Sequence, residues 1–324
     1  MTKAIHVLKP GTTENMRFVD VETPTPSNNE MLIRHTAIGV NFIDIYIRNK
    51  AYPWPVEKNL ILGCEAAGIV EKIGPDVKHF KLGERVAYVS MNGAYASHRA
   101  IAHDTVVKLP DNVSDEQASA SMLKGLTVYY LLHNSFKIEK NHIVLFHAAA
   151  GGVGLIAGQW LSDLNAIAIG CAGSTEKCNL AKQYGYQHTI NYKDSDVLEQ
   201  VMKITNSKGV DAVYDSVGKD TMRDSLKALK QHGTLVSFGQ ASGTYDAFKI
   251  SDLATGSLHL TRPSLFHFLN DPQWLKKASQ ALFEKISTNK IKIPIKQRFA
   301  LKDAAFAHQS IEARKTTGST ILIP

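Results

Sequence analysis

Ala148-Ala149-Ala150-Gly151-Gly152-Val153-Gly154 follows the apolar run HIVLFH at residues 142–147 and precedes a helical run that extends to about Leu164. Aligned on G-x-G-x-x-G, Ala149 takes the first glycine position, and Gly151 and Gly154 take the second and third. A small residue permits the tight strand-to-helix turn, Gly151 lets the backbone approach a pyrophosphate, and Gly154 lets helix and strand pack closely. The helix N-terminus adds free N–H groups and a partial positive charge. Such a turn can also join strand to helix and bind nothing, so its context decides. Ala150, Gly151, Gly152 and Val153 are the candidate phosphate-contacting positions.

The context is regular. Further short β-type runs begin at Ala166 (AIAIG), His188 (HTINY), Val210 (VDAVYD), Thr234 (TLVSFG) and Leu258 (LHLT), 22 to 24 residues apart, with amphipathic helical stretches between. That alternation predicts an α/β, doubly wound parallel sheet, because parallel strands need crossover helices that cover both faces. After the second run the chain reads Gly170-Cys171-Ala172-Gly173-Ser174-Thr175-Glu176-Lys177. No acid closes that strand, where NAD sites hold the ribose hydroxyls. Gly173 stands at the turn, Ser174 is placed to donate to a 2′-phosphate, and Lys177, three residues on, to supply charge. Tyr192, after the third run, is placed to pack on the adenosine end. A plain N-cap at Ser174 and a solvated lysine at Lys177 are the alternatives, and Glu176 argues for a ribose instead. Together these residues favour NADPH. Ser216, Phe238 and Gly239, at the ends of the fourth and fifth runs, lie where the crevice of such sheets receives ligands.

Outside this region the style differs. Residues 4 to about 110 read as short strands, such as Met31-Leu32-Ile33-Arg34-His35 and Arg85-Val86-Ala87-Tyr88-Val89, broken by turn signals such as Gly74-Pro75-Asp76. Ser114 and Gln117 form a capping-box pair that starts a helix, and helical text carries through Leu132. Beyond Arg262-Pro263 the text is helical over about 272–288, then strand-like at Ile291-Lys292-Ile293-Pro294-Ile295 and Ser319-Thr320-Ile321-Leu322-Ile323. These late strands are expected to rejoin the N-terminal β unit.

Composition agrees with two domains, since 324 residues exceed the usual ~100–200 per domain. No apolar stretch approaches the ~18–20 residues that span a bilayer, and the start MTKAIH has no signal-peptide core. Three cysteines, Cys64, Cys171 and Cys178, form no CxxC pair and suit a reducing compartment, hence the cytoplasm. The net charge of +7 is scattered rather than gathered into a basic run, so a bland basic surface or an anionic ligand explains it better than nucleic acid.

A β-rich N-terminal unit with an inserted dinucleotide fold resembles the medium-chain dehydrogenase/reductase superfamily. Several stretches resemble its zeta-crystallin type quinone oxidoreductases: Ala37-Ile38-Gly39-Val40-Asn41-Phe42-Ile43-Asp44, Glu65-Ala66-Ala67-Gly68-Ile69-Val70, Lys124-Gly125-Leu126-Thr127, Val213-Tyr214-Asp215-Ser216-Val217-Gly218 and Thr261-Arg262-Pro263-Ser264. The resemblance covers nearly the whole chain. It implies a GroES-like catalytic domain from residues 1–124, an inserted Rossmann NADP-binding domain over 125–264, and a return to the catalytic domain over 265–324. Zinc-dependent members carry a Cys where this chain has Asn41 and Gly-His-Glu where it has Gly63-Cys64-Glu65. Lys124 stands approximately at their third ligand. Cys64 alone cannot hold zinc, which takes about three protein ligands even at a catalytic site.

The same resemblance implies that Asn41, Asp44, Tyr46 and Tyr52 line the cleft near the nicotinamide, with Lys124 and Thr127 at the domain junction. Arg262 is either a contact to cofactor phosphate or substrate, or a surface arginine before a turn proline. The expected activity is NADPH-dependent reduction of quinones without zinc. A quinone is already electrophilic, so positioning and hydrogen bonds to its developing oxyanion suffice. Reduction of enones or alkenals is the enzymatic alternative, and an RNA-binding or structural crystallin-like protein the non-enzymatic one. The family also implies a homodimer across the nucleotide-binding domains, with residues 234–248 as a possible edge.

Overall fold

A computed structural model describes all 324 residues, which divide into two compact units. The first comprises Met1–Leu126, Phe268–Asn289 and Ile293–Pro324, and the second Thr127–His267 with Lys290–Lys292. The chain begins with β1 (Thr2–Val7), β2 (Met16–Val21), β3 (Glu30–Val40), α1 (Phe42–Arg48), β4 (Leu60–Ile61), β5 (Glu65–Ile73), β6 (Arg85–Val89), β7 (His98–Ala102) and β8 (Val106–Lys108). It continues through α2 (Asp115–Ser119), α3 (Met122–Tyr130), β9 (Ile143–Phe146), α4 (Gly152–Asp163), β10 (Ile167–Ala172), α5 (Thr175–Gln183), β11 (His188–Asn191), α6 (Val197–Ile204), β12 (Val210–Asp215), α7 (Met222–Lys227), β13 (Leu229–Ser237) and β14 (His259–Thr261). The last elements are α8 (Leu265–Phe268), α9 (Pro272–Ser287), β15 (Ile295–Ala300), α10 (Ala304–Glu312) and β16 (Ser319–Ile323).

In the first unit one sheet runs β15-β16-β3-β5-β6-β8, with β7 also on β3, and a smaller one runs β2-β1-β4. β16 lies antiparallel to β3, with Ile321 opposite Gly39. The capping box forms as expected: Gln117 N–H donates to Ser114 Oγ at 3.1 Å, and Ser114 N–H donates to Gln117 Oε1 at 2.9 Å. The helix it starts is not continuous. α2 stops at Ser119, α3 starts at Met122, and a wider π-type turn covers Leu131–Ser135. The strand expected over residues 291–295 is also displaced, because β15 begins only at Ile295. Pro294 has no N–H for a ladder, and its carbonyl instead accepts Ser319 N–H at 2.8 Å.

The second unit shows the expected α/β alternation, with all strands parallel in the order β11-β10-β9-β12-β13-β14. The chain steps outward from β9, returns to β12 beside it, and steps outward the other way. That reversal opens a crevice beyond the carboxyl ends of β9 and β12. Both strands are buried, and the Phe146 ring packs on Tyr214 (5.5 Å) and Phe238 (5.8 Å). One crossover departs from expectation: between β13 and β14 there is only a 3-10 turn, Ile250–Thr255. The segment before it carries Gly239 and Gly243, the latter at φ 104°, which break helical text. The edge expected from residues 234–248 is also elsewhere. β13 lies between β12 and β14, residues 238–248 form no strand, and β14 is the edge.

Candidate active site

The turn after β9 is carried by Ala148, one residue before the position that the glycine alignment marks. Ala148 adopts φ 55°, a left-handed conformation unfavourable for any residue with a Cβ. Hydrogen bonds on both sides hold it: His147 N–H to Tyr214 O at 3.0 Å and Ala149 N–H to Cys171 O at 2.9 Å. Gly151 then caps α4. A Cβ at Gly154 would stand 2.5 Å from the carbonyl oxygens of both Ala148 and Ala149, so the helix can start this close to the turn only with glycine there. Gly152, Val153 and Gly154 form the first turn of α4, and their N–H groups have no intrahelical acceptor. This cradle fits a pyrophosphate.

The turn is braced from β12 by residues that the sequence reading did not single out for a role. Asp215 is fully buried, and its Oδ1 accepts Val217 N–H (2.7 Å) and Gly218 N–H (3.1 Å). Its Oδ2 accepts the hydroxyls of Thr221 (2.7 Å) and Ser225 (2.9 Å). Ser225 Oγ lies 3.0 Å from His147 Nε2. Because the serine proton goes to Asp215, His147 must donate through Nε2, and burial pushes its pKa down, which keeps the ring neutral. The trio contains the residue types of a hydrolase triad, but its serine proton points at the acid. It is a brace.

At the end of β10, Ser174 caps α5 and accepts Lys177 N–H at 3.3 Å. A side chain at Gly173 would collide with the Tyr192 hydroxyl, so the two residues lie in close apposition, and the tyrosine is 46% exposed. Glu176 shares this corner: its own N–H and the Ser174 hydroxyl hold its carboxyl below the usual range. Ser216 O accepts Ala241 N–H (3.1 Å), Phe238 N–H donates to Asp215 O (2.8 Å), and Gly239 packs against Ser216. Arg262 donates Nη1 to Ser237 O at 3.2 Å. Ala150 through Val153, Gly173, Ser174, Lys177, Tyr192, Ser216, Phe238, Gly239 and Arg262 thus all lie at or just beyond the carboxyl ends of this sheet. Thr127, in α3, is 7% exposed.

In the first unit the other candidates gather on α1. Asn41 is its N-cap and Asp44 its third residue; Asn41 N–H donates to Asp44 Oδ2 at 2.9 Å. Asn41 Nδ2 and Lys124 Nζ both donate to Glu65 Oε1 at 2.8 Å, and Leu123 N–H donates to Glu65 Oε2 at 2.6 Å. The positions that the zinc branch gives to two ligands are here tied to one buried carboxylate. No group of three His, Cys, Asp or Glu side chains is placed to hold a metal ion. Tyr46 and Tyr52 are half-buried with ring centroids 5.1 Å apart, and Tyr52 N–H donates to Tyr46 O at 3.0 Å.

Asp44 has no solvent exposure. Burial pushes its carboxyl up to about 7, opposed by the Asn41 N–H, the Tyr95 hydroxyl and the Cys64 thiol, and reinforced by Glu65. Tyr95, Glu65, Arg48 and His308 were missed as site residues. Glu65 left a signal, an acid inside the apolar run GCEAAGIV, and His308 left another by sitting with Ala304, Ala307 and Ile311 on one helix face.

Comparisons with known proteins agree with the fold. Residues 27–111 match the alcohol dehydrogenase GroES-like domain, and residues 152–282 match the zinc-binding dehydrogenase domain. The quinone oxidoreductase of Salmonella typhimurium is 45% identical over the full length of both chains. A 2-haloacrylate reductase of Burkholderia is 38% identical over 100% of this chain and 99% of its own. The structure of Escherichia coli quinone oxidoreductase complexed with NADPH superposes with a TM-score of 0.97 at 45% identity, covering all of both chains. The chain therefore belongs to the quinone oxidoreductase family of the medium-chain dehydrogenase/reductase superfamily.

Proposed function

We propose that this protein is a zeta-crystallin type NADPH:quinone oxidoreductase. The observation that carries the reading is full-length identity of 45% to a quinone oxidoreductase whose structure contains NADPH. When bound, the cofactor supplies the reducing equivalents, and the protein supplies position and electrostatics. Gly151, Gly152 and Val153 at the start of α4, with Ala150, receive the pyrophosphate. Ser174, whose hydroxyl exchanges the Glu176 carboxyl for the ligand, and Lys177 receive the 2′-phosphate, and Tyr192 packs on the adenosine end. Ser216, Phe238, Gly239, Arg262 and Thr127 hold the remainder of the cofactor.

On the acceptor side, Tyr46 and Tyr52 offer aromatic faces to a planar quinone and hydroxyls to its developing oxyanion. Asn41, fixed at its backbone by Asp44 and at its side chain by Glu65, orients what binds beside it. The test is NADPH consumption over a panel of benzoquinones and naphthoquinones, with NADH as the control donor. Turnover on quinones with NADPH preferred is expected, and the absence of quinone turnover overturns the reading. A second reading, reduction of activated double bonds, is favoured by the 38% identity to 2-haloacrylate reductase. Faster turnover of 2-alkenals or 2-haloacrylates than of any quinone would select it.

Two further properties follow from the same reading. The unpaired edge of β14 can pair with the same strand of a second copy, giving a homodimer that sedimentation velocity would detect. The three cysteines are unpaired and buried, which suits the cytoplasm. No helix is long and apolar enough to cross a membrane.

A further inference from the structure

Four side chains from distant parts of the first unit form a hydrogen-bond chain with only one possible direction. Arg48, at the end of α1, has donors and no acceptor. Its Nη1 donates to His308 Nδ1 at 3.1 Å, so that nitrogen must be the acceptor. A neutral imidazole then carries its proton on Nε2, which lies 2.9 Å from the Tyr95 hydroxyl oxygen. Tyr95 accepts there and gives its single proton to Asp44 Oδ2 at 3.0 Å. Burial and the Arg48 charge push His308 down to about 3, which keeps it neutral at physiological pH. Glu312 fixes the other end, accepting Arg48 Nη2 at 2.6 Å and Nη1 at 3.1 Å, and Gly11 O accepts Nε at 3.0 Å.

At its inner end the chain meets the carboxylate that holds Asn41. Asp44 Oδ2 accepts both Tyr95 and the Asn41 N–H, while the buried Oδ1 has no hydrogen-bond partner. We propose that Tyr95 and His308 are positioning residues, which hold the charged Asp44 carboxylate against the Asn41 N–H and so keep the start of α1 in its working arrangement. The consequence for turnover rests on the quinone reductase reading above.

The surroundings of Asp44 give the proposal a pH signature. The titratable and charged groups that face it are Cys64 just before β5, Glu65 in β5 and Tyr95 after β6, with His308 of α10 and Arg48 of α1 acting through Tyr95. Tyr95 is one of the few groups that favour the charged form there. Without its hydroxyl, Asp44 keeps its proton to higher pH, the charge-assisted bond to Asn41 weakens, and activity is lost earlier as pH falls.

The experiment follows two quantities across pH in Tyr95→Phe, His308→Leu and His308→Gln. One is kcat/KM for a quinone; the other is the infrared carboxyl band of Asp44, identified by its loss in Asp44→Asn. Tyr95→Phe and His308→Leu are expected to move both curves up by about one pH unit with KM for NADPH unchanged. His308→Gln, which keeps an acceptor for Arg48 and a donor for Tyr95, is expected to stay near wild type. An unmoved Asp44 band in folded Tyr95→Phe overturns the proposal, as does equal behaviour of the two His308 variants. A shifted band in a protein that reduces no quinone supports the positioning and overturns the functional reading, so the two failures are separable.

Discussion

Asp215 of the second unit and Asp44 of the first are both fully buried carboxylates near the start of a helix, and they are treated in opposite ways. Asp215 has both oxygens occupied, by two backbone N–H groups and two hydroxyls. Asp44 has one oxygen shared between two donors and the other unpartnered. A saturated buried carboxylate is a fixed part of the scaffold, because each of its donors would be orphaned without it. A half-satisfied one is poised to change its proton occupancy. The carboxylate of the second unit is thus built to stay the same, and that of the first unit to respond.

The largest effect that sharpens this contrast is loss of the saturated member. Asp215→Ala orphans four donors and is expected to cost about 3 kcal/mol in urea unfolding. Asp44→Ala should cost clearly less near pH 8, and equal costs would break the comparison. Next comes the pH dependence of stability. Burial pushes His35 and His308 down to about 3 from 6.5, so each binds fewer protons folded than unfolded between those values. Their contribution is present above about pH 6.5 and is lost as pH falls toward 3. Asp44 is raised from 3.8 to about 7, so its contribution is fully present below 3.8 and is lost as pH rises through 7. Thermal melting is therefore expected to show Asp44→Asn gaining on wild type between pH 5 and pH 8, and His35→Gln losing part of the wild-type decline below pH 6.5.

Smaller effects concern the corner after β10. Lys177→Ala is expected to weaken NADPH about tenfold in a fluorescence titration, equivalent to about 1.4 kcal/mol, and to leave NADH unchanged. Glu176→Gln removes a like charge from beside the phosphate position, and should tighten NADPH by a few-fold. Ser174→Ala should cost about 1 kcal/mol of stability through the lost helix cap, in addition to any loss of NADPH affinity.

The sequence was most legible where chemistry is local. The turn around Gly151 and Gly154, the pair Ser174 and Lys177, and the Asn41 to Asp44 cap each lie within a few residues, so spacing alone places them. The strained Ala148 was not legible, because a left-handed alanine depends on acceptors at Tyr214 and on Cys171 behind it. Nor was the chain that ends on Asp44, since Arg48 and His308 are 260 residues apart in sequence. Gln159 shows the same limit on a smaller scale. It reaches Lys292, whose carbonyl and N–H are 2.9 and 2.8 Å from its side-chain amide, and the text around 291–295 read only as strand.

The pairing of β16 with β3 fixes an order of events during synthesis. The second unit is nearly continuous, so it can close as soon as residues up to His267 have left the ribosome. The segment Met1–Leu126 emerges first but must wait. Its main sheet lacks β15 and β16, and Asp44 lacks His308 and Glu312 behind it, until about the last thirty residues arrive. The half of the protein that is translated earliest is therefore the last to be finished.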